Sequence, residues 1–237
     1  MKIKKMRLIS NAVMFALVIV IFGVYMLTYE NSVAVSKQDF QPYYNGNKKS
    51  NKVALMFNCY EGRDNVFEIA KLLKEYGFKA TFFFGGCFAD DNFDLVSYLA
   101  NEGHEIGNHG YFHKEHGKLD EQGNLFEIKH THDVILAQTG INMTLFAPPS
   151  GDFSQTTLKV CENLGYKVIL WSVDTIDWRD KSQKIVYNRA TQKVSGGDFV
   201  LMHPKEHTLK ALPDILNNYL ERGLVVTTVT QCMENDG

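Results

Sequence analysis

His109 and His113 stand four residues apart in the run His104-Glu105-Ile106-Gly107-Asn108-His109-Gly110-Tyr111-Phe112-His113. On one helical turn that spacing aims both imidazoles the same way, the geometry of a two-histidine metal site. Cys59, at the end of an earlier apolar run, is a third soft donor, and one Cys with two His and open positions suits a catalytic zinc. Two other readings of Cys59 stand beside that one: an inert buried residue, or a disulfide with Cys87. Later in the chain, Asp177 and His203 form a second pair. An aspartate that holds a histidine in one tautomer makes it a competent general acid, and Trp178 beside them would help exclude water. His116, His130 and His132 read as surface residues.

These residues cluster at the ends of short apolar runs. Val53–Phe57, Lys79–Phe84, His104–Gly107, Thr144–Ala147, Lys167–Trp171, Phe199–Met202 and Val225–Val229 read as strands, several apolar on both faces. Amphipathic stretches lie between them at Asn65–Tyr76, Phe93–Glu102, Asn124–Gln138, Ser154–Leu164 and Leu209–Arg222, each followed by a glycine suited to a left-handed cap. Strand and helix in alternation imply a parallel sheet, with a barrel or a doubly wound sheet as the two architectures. In either, chemistry gathers at the carboxyl ends of the strands, where the histidines, Cys59 and Asp177 fall.

The first fifth of the chain has another character. Residues 8–28 carry no charge, and Lys2, Lys4, Lys5 and Arg7 precede them. A helix of that length spans about 30 Å, enough for a bilayer core, and the basic flank predicts a cytoplasmic N-terminus with an exported body. A cleaved signal peptide, with Ala34-Val35-Ser36 as its processing site, is the rival reading. The expected organisation is a basic tip and transmembrane anchor over 1–29, a polar linker over 30–51, and a folded body over 52–237. That makes a single-pass protein of the cell membrane with its C-terminal domain outside. Without the four basic residues of the tip, 21 basic residues face 27 acidic ones, a net charge of −6. So acidic a body is a poor partner for phosphate backbones, and nucleic acid is excluded as an expected partner.

The ordered motifs V-A-L-x-F at 53–57, H-E-I-G-N-H-x-Y-x-H at 104–113, F-x-P-P-x-G at 146–151, W-S-V-D-x-x-D-W at 171–178 and L-x-H at 201–203 resemble those of the NodB-homology polysaccharide deacetylases, the fourth carbohydrate esterase family. The resemblance covers 52–231. It implies an α/β fold, a distorted (β/α) barrel of about seven parallel strands. It further implies a divalent metal, zinc being the expected ion, and removal of N-acetyl groups from a GlcNAc-containing cell-wall polysaccharide such as peptidoglycan or a chitin-like polymer.

Carried over residue by residue, His109 and His113 are metal ligands and His203 with Asp177 the acid pair. Tyr111, Pro148, Pro149 and Trp178 are expected to shape the sugar groove. The family's first motif, T-F-D-D-G, is altered here to Met56-Phe57-Asn58-Cys59-Tyr60. Asn58 stands at the base position and cannot take a proton, Cys59 replaces the metal-binding Asp, and Ala147 replaces the tethering Arg. An Arg aimed at a neutral Asn would be a buried cation without a partner, so the losses are coupled. Glu61 is the one nearby carboxylate able to stand in as base or ligand. Two outcomes are open: an active or slowed deacetylase, or a catalytically impaired module that binds glycan or supports the envelope.

Overall fold

The computed structural model describes residues 13–26 and 40–235, which divide into two compact units at Phe40/Gln41. In the first unit, residues 13–26 form one helix, α1, with exposed side chains. Among the described residues, no helix is long and apolar enough to cross a membrane. The transmembrane helix expected over 8–28 is therefore not met by α1, and the remainder of that stretch lies outside the described residues.

The second unit is built on one parallel sheet. Its strands are β1 (Lys52–Cys59), β2 (Thr81–Phe84), β3 (Glu105–Asn108), β4 (Leu145–Phe146), β5 (Lys167–Val168), β6 (Val173–Asp174), β7 (Phe199–Met202) and β8 (Val225–Thr227). The order is β5-β4-β3-β2-β1-β7-β6, all pairs parallel. β1 is the centre, with β7 on one edge and both β2 and β8 on the other: β8 pairs Lys52–Ala54, and β2 pairs Met56–Cys59. Among the described residues no ladder joins β5 to β6, so the sheet is a curled half-barrel rather than a closed barrel. The strands include β6, which the apolar pattern did not announce because Val173 and Asp174 are only half-buried and one of them is charged.

Alternation along the strands divides the core. Ala54, Met56, Phe83, Leu145, Ala147, Ile169, Phe199 and Leu201 fill the concave side. Phe57 lies on the other face of β1, where it stacks on Phe82 at 5.1 Å between ring centroids. That outer side is covered by the helices α2 (Arg63–Glu75), α3 (Gly86–Asp91), α4 (Phe93–Asn101), α5 (Glu121–Thr139), α6 (Gln155–Asn163), α7 (Gln183–Thr191) and α8 (Glu206–Glu221). A short α9 (Val229–Met233) follows β8. The five glycines expected to close helices, Gly77, Gly103, Gly140, Gly165 and Gly223, do so with positive φ. Gly107 is required by space, since a Cβ there would meet the Phe83 ring at 2.4 Å.

Residues 41–51, expected as linker, belong to the folded body instead. Tyr43 donates its N–H to Val168 O and accepts from Leu170 N–H, both at 2.8 Å, pairing in parallel with Ile169 beside β5. Gly46 N–H donates to Gly197 O (2.7 Å) and Asn47 N–H to Cys232 O (2.8 Å), while Lys48 pairs with Asp198 at the foot of β7. This strap ties together two edges that the sheet leaves apart. The pattern missed it because a polar segment can be held by its backbone with little apolar burial of its own. A chain starting at Lys52 should be less stable than one starting at Gln41 by about 2–7 kcal/mol, from the five lost backbone bonds, which include Val225 N–H to Asn51 O. Urea unfolding of the two chains measures this, and equal midpoints would remove the strap from the fold's stability.

Candidate functional site

At the carboxyl ends of the strands lies a cavity of about 250 Å³ lined by Asn58, Tyr60, His109, His113, Ser150, Trp171, Asp174, Trp178, Leu201 and His203. Asn58 ends the inward-facing row Ala54, Met56, Asn58, Tyr60 on β1 and the loop after it. His109 and His113 follow β3, Trp171 and Asp174 flank and end β6, and His203 follows β7. A left-handed residue, His113 at φ 56°, turns the second imidazole back towards the first.

The acid pair is assembled as expected. His203 Nδ1 lies 2.7 Å from Asp177 Oδ1, His203 N–H donates to Asp177 Oδ2 at 2.7 Å, and the Thr208 hydroxyl donates to the same oxygen at 2.6 Å. Burial works against the Asp177 carboxylate, but the bonds and attraction from His203, with the Thr208 bond, more than offset it and hold its pKa below the ordinary aspartate value. His207 Nε2–H donates to the Asp177 carbonyl at 2.7 Å, fixing the loop. The ring nitrogen left to face the cavity is His203 Nε2.

The histidine pair is also brought together. His109 and His113 have ring centroids 5.1 Å apart, edge to face. His109 Nδ1 lies 2.6 Å from the Ala147 carbonyl, which only accepts, so Nδ1 carries the proton and Nε2 the lone pair. That Nε2 is buried without a partner, as is Asn58 Oδ1. Burial, reinforced by His113, pushes His109 well below the ordinary histidine pKa, and burial lowers His113 too.

Cys59 does not join them. It is wholly buried, its thiol donates to the Phe57 carbonyl at 3.5 Å, and burial pushes its pKa far up. Nor is it in a disulfide with Cys87, since all four cysteines are free. Glu61 is also absent from the cavity. Its half-exposed carboxylate pairs with Lys205. Of the expected groove residues, Trp178 lines the cavity, whereas Pro148 and Pro149 are buried and shape the turn before Ser150. Tyr111 packs on Gly86, on the side facing α3.

Tyr60, Trp171 and Asp174 were missed. Tyr60 lies against three histidines, 4.3 Å from the His113 ring and 6.3 Å from those of His109 and His203. Counting by twos from Met56 would have found it, and the same count turns Cys59 away. His116 was read as a surface residue but is fully buried, its Nδ1 2.7 Å from Asn124 Oδ1 and its ring on Phe146.

A catalytic divalent metal held by three protein ligands does not fit these donors. Two imidazoles converge, but Cys59 faces away, and among the described residues no three of His, Cys, Asp and Glu could hold an ion. Of the three residues expected to hold zinc, His109 and His113 converge and Cys59 does not line the cavity.

The family profile described as Polysaccharide deacetylase matches residues 45–169, more than half of the chain. The chain belongs to the polysaccharide deacetylase family. It is 30% identical over 203 residues to YlxY of Bacillus subtilis, an uncharacterized protein, covering 86% of this chain and 64% of that one. It therefore spans less than two thirds of that relative's length. It is 27% identical to PdaA of the same organism, a peptidoglycan-N-acetylmuramic acid deacetylase, covering 83% of this chain and 76% of that one. Among solved structures it is similar to BA3943 of Bacillus anthracis, described as a CE4 family pseudoenzyme, with a TM-score of 0.80 and 30% identity over 82% of this chain and 69% of that one. A BA3943 mutant described as having restored enzymatic activity superposes equally well, at 29% identity over 82% and 72% of the two chains.

The buried histidines behind the site set an acid limit on stability. Burial holds His104 and His116 at about 4, below the 6.5 of an open chain. Between those values the unfolded chain binds protons that the folded one refuses, so stability falls as pH drops from 6.5 to 4. The slope is up to about 1.4 kcal/mol per pH unit for each group. His116→Gln should flatten that slope by about one group's share in urea titrations at pH 7, 5.5 and 4.5. An unchanged slope would show that His116 takes up a proton while folded.

Proposed function

We propose that this domain engages an N-acetylated cell-wall glycan of the peptidoglycan type and is a catalytically impaired deacetylase. The family and the peptidoglycan deacetylases among its relatives support the substrate class. One observation carries the impairment: Asn58, an amide that cannot take a proton, stands in the cavity with its Oδ1 unpartnered, while the carboxylate among the lining residues, Asp174, is on β6 and accepts from Ile176 N–H at 2.7 Å. Ala147 contributes only its backbone carbonyl, to His109.

A divalent metal of the kind the family implies would supply Lewis-acid chemistry if bound. What the chain's own residues do is narrower. Trp171, Trp178 and Tyr60 wall the cavity around an acetamide-bearing sugar. Asp177 and Thr208 fix the His203 ring, and a protonated His203 Nε2 would pass its proton to a leaving amine. That preserved triad favours a second reading, an active deacetylase, over a site with no chemistry left. A position at the outer face of the cell membrane belongs to the same proposal. It is supported by the basic tip and the charge-free stretch 8–28 of the sequence.

The test is acetate release from peptidoglycan and from chitooligosaccharides, with a family deacetylase such as PdaA assayed alongside. Loss of a general base costs about 10²–10⁴-fold, so release should be slower by at least that order while oligosaccharide binding persists. His203→Ala should abolish whatever release remains. Release at the rate of the comparison enzyme would overturn the impairment, and absence of any glycan binding would overturn the substrate class.

A further inference from the structure

Beside the cavity lies a group of aromatic rings that the chemistry of the site does not use. Phe112 is 53% exposed and Phe126 49% exposed, yet the two rings lie nearly parallel, 14° apart in tilt with centroids 6.2 Å apart. His130, one turn after Phe126 on α5, continues the series at 5.1 Å and 24°. Tyr111 stands perpendicular to Phe112 at 4.7 Å and tilted 76° to Phe126 at 6.3 Å.

The group is held in place from beneath. Phe112 N–H donates to the buried Glu127 carboxylate at 2.8 Å, which ties the loop after β3 to α5. Tyr111 lies so flat on Gly86 that a Cβ there would meet its ring at 2.2 Å, and its carbonyl accepts from Cys87 N–H at 3.1 Å. Exposed rings fixed by buried contacts lose little freedom when a ligand settles on them. The platform is also continuous with the cavity. Phe112 immediately precedes His113, whose left-handed backbone sends one side chain outward and the next into the cavity wall.

We propose that the Phe112–Phe126 platform is a second sugar-binding site, which takes a pyranose ring of the same glycan beyond the unit held in the cavity. A pyranose face presents a patch of C–H bonds of slight positive charge, the complement of the negative face of an aromatic ring. A cavity of about 250 Å³ lies below the roughly 300–1,000 Å³ of a drug-sized pocket, so it suits about one sugar and leaves the rest of a polymer to run over the surface. Two exposed phenylalanines make too small a patch to sustain a protein interface, which needs about 1,000 Å² or more. This inference rests on the glycan reading of the cavity and extends it to the length of chain recognised.

The test compares affinities of the full-length chain for chitobiose and chitohexaose by calorimetry. The wild type should bind the hexamer more tightly. Phe112→Ala with Phe126→Ala should remove about three- to tenfold of that advantage and leave the disaccharide unchanged, with an unaltered thermal midpoint because both rings are exposed. Phe112→Leu, apolar but not flat, should lose part of the advantage as well. An unchanged hexamer-to-dimer ratio in the double variant would overturn the platform while leaving the cavity reading intact. Failure of the wild type to bind either sugar would overturn both. A shift in sedimentation of the wild type that the double variant abolishes would make the patch a contact between copies of the chain, and would also overturn the proposal.

Discussion

A strand can send only every second side chain to one face, and in this protein that rule acts on the central strand of the sheet. β1 is paired on both edges, so its register is fixed by β2, β7 and β8 together. With Ala54 and Met56 in the concave core, Asn58 and Tyr60 must face the cavity and Cys59 must face away. A one-residue slip that brought the thiol inward would turn the concave row of β1 outward and break three ladders at once. The composition of the site is therefore decided by the core beneath it. A soft donor next to an inward position is no nearer to being a ligand than any other buried residue.

The same constraint explains the uneven wear on the site. The acid half hangs on side-chain bonds from residues on separate segments, Asp177, His203 and Thr208, each of which satisfies another. Removing one would leave a buried carboxylate or imidazole without its partner, at a cost of several kcal/mol. The half made by Asn58 on β1 and Ala147 after β4 has no such mutual dependence. Asn58 makes no bond through Oδ1, and Ala147 offers only a carbonyl. Substitution there costs the fold little, so the chemistry could depart while the architecture stayed.

How legible this was in the sequence depended on the range of the signal. The alternating apolar runs announced seven strands and five helices because each rests on burial of a local face, and His109, His113, His203 and Asp177 were findable as strand-end residues. β6 and the strap at 41–51 were not, since a half-buried Val–Asp pair and a polar stretch held by its own backbone leave no apolar mark. His116 looked like a solvated histidine because nothing near it in sequence announces the pocket between Asn124 and Phe146. Glu61 and Cys59 were chosen for proximity along the chain; the alternation from Met56 turns Cys59 away from the cavity, and Glu61 is paired with Lys205 outside it.

The strap that runs through Tyr43, Gly46 and Asn47 has a mechanical consequence. It is bonded to the β5 edge through Val168 and Leu170, and to the β7 side through Gly197 and Asp198. A pull applied at Gln41 is therefore shared between two edges of the sheet that have no ladder of their own between them. Those backbone bonds must break before tension can reach β1. The half-barrel is thus shielded from strain entering along its N-terminal segment.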